Sequence, residues 1–294
     1  MRKFSLLALD MDGTVLDGRW KVSARTAAAV ARVAESGAIV TLCTGRAFEN
    51  THFVETQLGR SLFCICANGA VAVAPVKDLT QVGDASVRTV FFEHTLDASK
   101  VKRIVDVATE LGLIAALYRH GDPNAHILAS TELQRQQVET FRRAFLPFEL
   151  HSSPRDFEAI GPPVKMLLLT SGTNSQKVMQ HCQGVFPELT LYKERHFVDI
   201  CGASVNKAAG IKQLCKALGS HIEEAVCFGD GNNDIEFLQE AGLGFAMANA
   251  KLEVKAVANR VTRFSNEEDG VAVELEEMLA QGLFGPPTGV VSLL

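Results

Sequence analysis

The chain has 294 residues, 47% hydrophobic and 21% charged, with a formal net charge of -5. That length allows two domains or one large one, and the balance is that of an ordinary globular protein with enough apolar residues for a sizeable core. The negative charge argues against nucleic acid as the main partner, since such partners call for a basic field.

Seven cysteines, an odd number, sit mostly in apolar runs, and none forms a Cys-x-x-Cys pair. Buried free thiols in a reducing compartment are therefore expected, with neither a disulfide framework nor a zinc site. Arg2-Lys3 precede an apolar stretch that Asp10 ends too soon for a signal peptide. No apolar run approaches the ~18 residues of a membrane span. A cytoplasmic protein is the expectation.

Leu6-Leu7-Ala8-Leu9 is a short apolar run bounded by turn chemistry. It reads as a buried strand that delivers Asp10 at its carboxyl end. Ser23 is placed to cap a helix over 24–36, stopped by Gly37. A second buried strand over 38–43 ends in Thr44-Gly45-Arg46. Strand, helix and strand within so short a stretch make a βαβ unit, so Asp10 and Thr44 lie on one edge of a parallel sheet. A third strand, 62–67, ends in Asn68-Gly69-Ala70, and a β-rich stretch runs on to Val76.

From about Asp78 the pattern changes. Residues 78–86 read as a linker. Strands over 87–92, 113–118 and 125–129 follow, with helices over 99–111 and 132–144, then a looser Pro-containing part. A strand over 164–170, a helix over 175–183 and strands over 189–193 and 196–201 complete an α+β insert. Apolar strands with Gly-containing polar ends then return. A helix over 204–218 carries Lys207, and a strand over 225–228 ends in Gly229-Asp230-Gly231-Asn232-Asn233-Asp234. A helix to Ala241, a short strand over 244–247, a helix over 251–258, a strand at 260–261 and a helix over 270–279 close the fold. The tail from Gly282 is rich in Pro and Gly and is expected to be loose. The expected fold is α/β, a Rossmann-like parallel-sheet core from residues 1–80 and 195–294, with an inserted α+β domain over 81–194.

Asp10 and Asp12 repel each other at a strand end unless a cation joins them, and Mg²⁺ prefers such carboxylate oxygens. Thr14 and the amides after Asp10 are placed to hold phosphate oxygens. Each motif also has a plainer reading. Asp10 to Thr14 serves equally as a strand-to-turn exit, Thr44 to Arg46 as a capped turn, Lys207 as a solvated lysine, and residues 229–234 as a polar loop. Four such features on separate strand or helix ends favour one shared site, beyond the strand ends where open α/β sheets bind ligands.

Asp10-Met11-Asp12-Gly13-Thr14, Thr44-Gly45-Arg46, Lys207 and Gly229-Asp230-Gly231-Asn232-Asn233-Asp234 together resemble the four ordered motifs of the haloacid dehalogenase superfamily. Within it, the Cof-like phosphatases with a class IIB cap match best, and the stretches Asn68-Gly69-Ala70 and 241–250 resemble that group too. The resemblance covers about residues 4–280. It implies that Asp10 attacks phosphorus and that Asp12, as in the phosphatases of the family, serves as general acid and base. It further implies a Mg²⁺ cofactor held by Asp10, the Asp12 carbonyl and Asp230, with Asn233 or Asp234 adding a contact. Lys207 then pairs with the nucleophile and a phosphate oxygen, while Thr44 and Gly45 bind phosphate. Arg46 and Asn68 face the body of the substrate. Tyr118, Arg119, His120 and Lys165 are cap candidates for specificity. Ala208 stands where relatives often have Gly, which bears on the subfamily and not on the reaction.

The implied activity is hydrolysis of a small phosphomonoester, such as a sugar phosphate, by a monomer or homodimer with no nucleic-acid or membrane partner. Two alternatives share the motifs: a phosphomutase of the same superfamily and a non-catalytic phosphate-binding regulatory module.

Overall fold

A computed structural model describes residues 3–140, 147–170 and 172–287. In chain order the first segment forms β1 (Leu6–Leu9), α1 (Ala24–Glu35), β2 (Ile39–Cys43), α2 (His52–Leu58), β3 (Phe63–Cys66), β4 (Val71–Val73) and β5 (Val90–Glu93). The insert follows with α3 (Ala98–Glu110), β6 (Ile114–Tyr118), β7 (Ala125–Leu128), α4 (Glu132–Thr140), β8 (Phe148–His151), α5 (Pro154–Glu158), β9 (Lys165–Leu169), α6 (Ser175–Val185), β10 (Thr190–Lys193) and β11 (Phe197–Cys201). The chain then makes α7 (Lys207–Ala217), β12 (Ala225–Gly229), α8 (Ile235–Glu240), β13 (Leu243–Ala246), α9 (Leu252–Val257), β14 (Arg260–Val261) and α10 (Gly270–Ala280).

Contacts divide the chain into two units, Met1–Phe92 with Asn206–Leu294, and Glu93–Val205. The first holds an eight-stranded sheet in the order β14-β13-β12-β1-β2-β3-β4-β5. From β14 to β3 every pairing is parallel, and β4 runs antiparallel to β3. Every residue of β1, β2, β3 and β12 is buried. Strands covered by helices on both faces need unbroken apolar runs, which is why these segments do not alternate. The helix that returns from β1 to β2 begins as expected: the Ser23 side chain accepts a hydrogen bond from the Thr26 amide, and Gly37 takes the left-handed conformation at its end.

β1 lies between β2 and β12, so consecutive strands leave it in opposite directions. That is the switch point where open α/β sheets bind ligands. The registers Leu9↔Phe228 and Leu9↔Leu42 bring Asp10 level with Gly229 and Cys43, one residue before Asp230 and Thr44. Adjacent strands are about 4.8 Å apart, so these side chains start within reach of each other.

The second unit is built on a six-stranded sheet in the order β10-β11-β9-β6-β7-β8, antiparallel except where β7 and β8 run parallel. Its core gathers Ile104 and Val105 of α3, Ala115 and Leu117 of β6, Phe157 of α5, Met166 of β9 and Ile200 of β11.

Several expectations are corrected. The strand expected in the insert over 87–92 is β5, an edge of the first sheet. The segment read as a linker over 78–86 is anchored: Arg88 is buried and donates to the carbonyls of Leu62, Ala74 and Val82 and to Glu55. β10 pairs with β11 and β11 with β9, which carries the insert to Val205, so the division falls after Phe92 and Val205 and not after residues 80 and 194. β8 and α5 form in the part read as loose. The tail is also packed over its first residues. Phe4 donates to the Leu283 carbonyl at 2.7 Å, Gly285 donates back to Phe4 at 3.1 Å, and Phe284 is buried. The helix expected over 132–144 is described to Thr140, and its remaining residues lie outside the described ones, as do 288–294. All seven cysteines are free and buried. Among the described residues no helix is long and apolar enough to cross a membrane.

Candidate active site

Lys207 is the first residue of α7, and Asn206 caps that helix by accepting from the Ala209 amide at 2.7 Å. From there the buried Lys207 ammonium donates to Asp10 Oδ1 at 2.6 Å and to Asp234 Oδ1 at 2.5 Å. Asp234 is held from its other side, where Oδ2 accepts from the backbone amides of Asp230 at 2.9 Å and Gly231 at 2.8 Å. A ring of hydrogen bonds thus ties the ends of β1 and β12 and the start of α7 into one unit. Thr14 adds a hydrogen bond to Asp230 Oδ1 at 3.2 Å.

Backbone detail explains the glycines here. Gly13 has φ +74°, and a Cβ on it would collide with Asp230 Oδ2. A side chain at Gly229 would run into the Asp234 carboxyl in the same way. Only glycine lets these two turns close against the carboxylates of Asp230 and Asp234. At the end of β3, Ala67 and Asn68 both take positive φ, 50° and 56°. That strain is offset by neighbours: the Ala67 amide donates to the Arg46 carbonyl at 2.7 Å, the Asn68 amide to the Thr44 carbonyl at 3.0 Å, and Asn68 Oδ1 accepts from Asn233 Nδ2 at 2.8 Å. Thr44 is buried, and its hydroxyl oxygen accepts from the Arg46 amide at 3.1 Å.

One oxygen from each of Asp10, Asp230 and Asp234 lies within 4.8 Å of the others. Three carboxylates face one ammonium, so the cluster is short of positive charge. Burial and the neighbouring Asp234 carboxylate push Asp10 well above the usual carboxylate range, against the pull of Lys207. Asp230 is pushed up to about 7, first by burial and then by Asp234. Burial works against the Lys207 ammonium, yet Asp10 and Asp234 outweigh it and hold its pKa above the ordinary lysine value. A bound cation reverses the carboxylate shifts by supplying the missing charge. The donor set is all oxygen, which suits Mg²⁺ and similar hard ions and disfavours softer metals.

Arg46 has a partner that its place in the sequence did not foretell. Its guanidinium makes a two-point pair with Asp12, Nε to Oδ2 at 2.7 Å and Nη2 to Oδ1 at 2.6 Å. It is flanked by Trp20, 4.9 Å from ring centre to Cζ, and by Phe53 at 5.5 Å. Trp20 is half exposed and has φ 62°, and neither aromatic stood out in the sequence. A third residue without an assigned role is Asn249, whose side chain donates to the Gly13 carbonyl at 2.8 Å and accepts from the Asn266 amide. The signal for it was the 241–250 stretch. Asp10, Asp12, Thr44, Gly45, Arg46, Asn68, Lys207, Asp230, Asn233 and Asp234 all belong to the first unit.

Tyr118, Arg119, His120 and Lys165 belong to the second unit. There Lys165 is buried, donates to Asp199 Oδ2 at 3.1 Å and lies 5.3 Å from the Tyr118 ring centre. Burial lowers the His120 pKa.

A mostly parallel sheet with three carboxylates and a buried lysine at its switch point defines an α/β protein with an acidic, cation-suited site at its strand ends. Comparison with known proteins makes the class specific. The family model for haloacid dehalogenase-like hydrolases matches residues 7–275, and the chain belongs to that family. It is 27% identical over 278 residues to the 5-amino-6-(5-phospho-D-ribitylamino)uracil phosphatase YitU of Bacillus subtilis, covering 92% of this chain and 96% of that one. It is also 27% identical to the pyridoxal phosphate phosphatase YbhA of Escherichia coli, covering 91% and 96%. Its fold is similar to that of the HAD subclass IIB sugar phosphatase BT4131, with a TM-score of 0.76 and 21% identity over 95% of this chain and 100% of that chain.

Proposed function

We infer that this hydrolase is a Mg²⁺-dependent phosphatase of small phosphorylated metabolites, sugar phosphates or similar phosphomonoesters, working through an aspartyl-phosphate. The observation that carries the reading is Lys207 bridging Asp10 and Asp234, with the Asp230 carboxylate in the same cluster. The relatives' names support the substrate class, since each relative acts on a different small phosphate ester.

The chain is a phosphoric monoester hydrolase of the haloacid dehalogenase superfamily. In the proposed reaction Asp10 is the nucleophile, and Lys207 keeps its attacking carboxylate oriented. Asp12 protonates the leaving oxygen and then draws a proton from water as the acyl phosphate is hydrolysed. Both its oxygens accept from Arg46, so Asp12 gives up part of that pairing at each proton transfer. Thr44 and the Gly45 amide receive phosphate oxygens, with Asn68 and Asn233 fixed against each other beside Gly45. Asp10, Asp230 and the Asp12 carbonyl would hold the metal. Asp234 would add a contact, although both its oxygens already accept hydrogen bonds. Magnesium, when bound, neutralises charge so that an anionic nucleophile and an anionic phosphate can approach. A small phosphomonoester as partner and a cytoplasmic site of action complete the proposal.

The test is release of inorganic phosphate from a panel of metabolite phosphates with and without Mg²⁺. The wild type is expected to turn over only with the ion, and Asp10→Asn is expected to be inactive while folded. Turnover by Asp10→Asn at the wild-type rate would remove the mechanism.

A further inference from the structure

A second cluster of metal-ligating side chains lies within the insert, apart from every residue named in the proposed reaction. His126 on β7 is paired in register with Glu149 on β8, and Leu128 with His151. Partners directly opposite on adjacent strands share a face of the sheet. β7 is also in register with β6, Leu117 opposite His126 and Ala115 opposite Leu128. Leu117, Ala115 and Leu128 belong to the insert's hydrophobic core, so His126, Glu149 and His151 sit on that face, at the edge of the sheet. Tyr118 and Lys165 alternate to the opposite face.

The ring nitrogens are arranged as ligands. His126 Nε2 is 2.9 Å from Asp122 Oδ2. An ionised carboxylate only accepts, so Nε2 donates to it, and in the neutral ring Nδ1 is then the nitrogen left with a lone pair. That lone pair faces His151 Nε2 at 3.1 Å and Glu149 Oε2 at 3.6 Å. One ligand atom from each of the three residues lies within 4.8 Å of the others. Two imidazole nitrogens at about 2.0–2.1 Å from a tetrahedral zinc stand roughly 3.3 Å apart, close to the separation here. Asp122 supplies the outer carboxylate that orients a metal-bound histidine. His126 is buried, while the Glu149 side chain is half exposed, so one side of the cluster is open to water. Phe157 packs edge-on to the His151 ring at 6.0 Å and limits its movement.

We propose that His126, His151 and Glu149 form a site for a borderline divalent cation of the zinc class, with Asp122 as the positioning carboxylate behind His126. Bound there, the ion bridges the edge strand β8 to β7 through side chains, in addition to the backbone ladder. The donor set of two imidazoles and one carboxylate separates it chemically from the all-oxygen cluster of the first unit.

The test uses the full chain without a polyhistidine tag, stripped of metal with a chelator and loaded with one equivalent of Zn²⁺ in excess Mg²⁺. X-ray absorption at the zinc edge reads imidazole in the coordination shell. The Asp10, Asp230 and Asp234 cluster has no histidine, so this signal does not report on it. Wild type is expected to show imidazole ligation, His151→Gln to lose it, and the exposed-side variant Glu149→Gln to bind zinc at least tenfold more weakly. Should His151→Gln fail to fold, Glu149→Gln decides alone. A wild-type shell without imidazole would overturn the proposal. So would imidazole ligation unchanged in His151→Gln, or zinc affinity unchanged in Glu149→Gln. None of these outcomes depends on whether the chain hydrolyses phosphate esters.

Discussion

Replacing Lys207 by Met removes the ammonium that touches both Asp10 and Asp234 while keeping most of the apolar stem. Lys207 is fully buried, Asp234 likewise, and Asp10 nearly so. Breaking a buried ion pair by deleting one partner leaves uncompensated charge and costs about 3–5 kcal/mol. The two hydrogen bonds at 2.6 and 2.5 Å are charge-assisted, which places the change toward the upper part of that range. With a urea slope of roughly 2 kcal/mol/M, the unfolding midpoint falls by about 2 M. Trp20 is the chain's one tryptophan and belongs to the same unit, so its fluorescence follows the right transition. In the metal-free protein Asp10→Asn behaves oppositely. Burial and like charge oppose ionised Asp10, and asparagine removes that charge while keeping an oxygen for Lys207 to donate to. Its midpoint is expected not to fall. Added Mg²⁺ is expected to recover part of the Lys207→Met loss, because the ion supplies positive charge to the same carboxylate cluster. A shift below about 1 kcal/mol in Lys207→Met, or an equal loss in Asp10→Asn, would refute the charge accounting.

Further outcomes follow from the same geometry. Gly13→Ala forces a Cβ toward Asp230 Oδ2 and a strained φ, so Mg²⁺ affinity measured by calorimetry is expected to drop at least tenfold, with activity lost. Arg88→Met removes the cation paired with the buried Glu55, and the urea midpoint is expected to fall by the equivalent of about 3–5 kcal/mol, with the 78–89 segment gaining protease sensitivity. Arg46→Lys loses the two-point hold on Asp12. Steady-state kinetics are expected to show a lower kcat with little change in stability, because this pair is partly exposed.

How far the site was legible depends on the range of the interaction. Asp10, Thr44 and Asp230 each end an apolar strand, and a parallel unit carries strand ends to one edge, so their grouping was readable from local pattern. Arg46 shows the limit. Its position after Thr44-Gly45 was plain, but its partner, Asp12, and its flanking rings, Trp20 and Phe53, are set by how the β1–α1 connection folds against the start of α2. β8 was missed because Phe148-Glu149-Leu150-His151 is short, and only its neighbour β7 makes it a strand. With it went the His126, Glu149 and His151 cluster, in which His126 is separated from the other two along the chain by the α4 helix.

What the residues settled alone was the fold class, most of the elements and the inventory of chemistry-bearing groups at strand ends, because those follow from hydrophobic period and turn chemistry within a few residues. What only tertiary structure decided was which carboxylates share Lys207, which carboxylate Arg46 grips, where the insert begins and ends, and that two histidines face each other across an edge pair. Such choices rest on strand register and on buried charge, and both depend on contacts between segments distant in the chain.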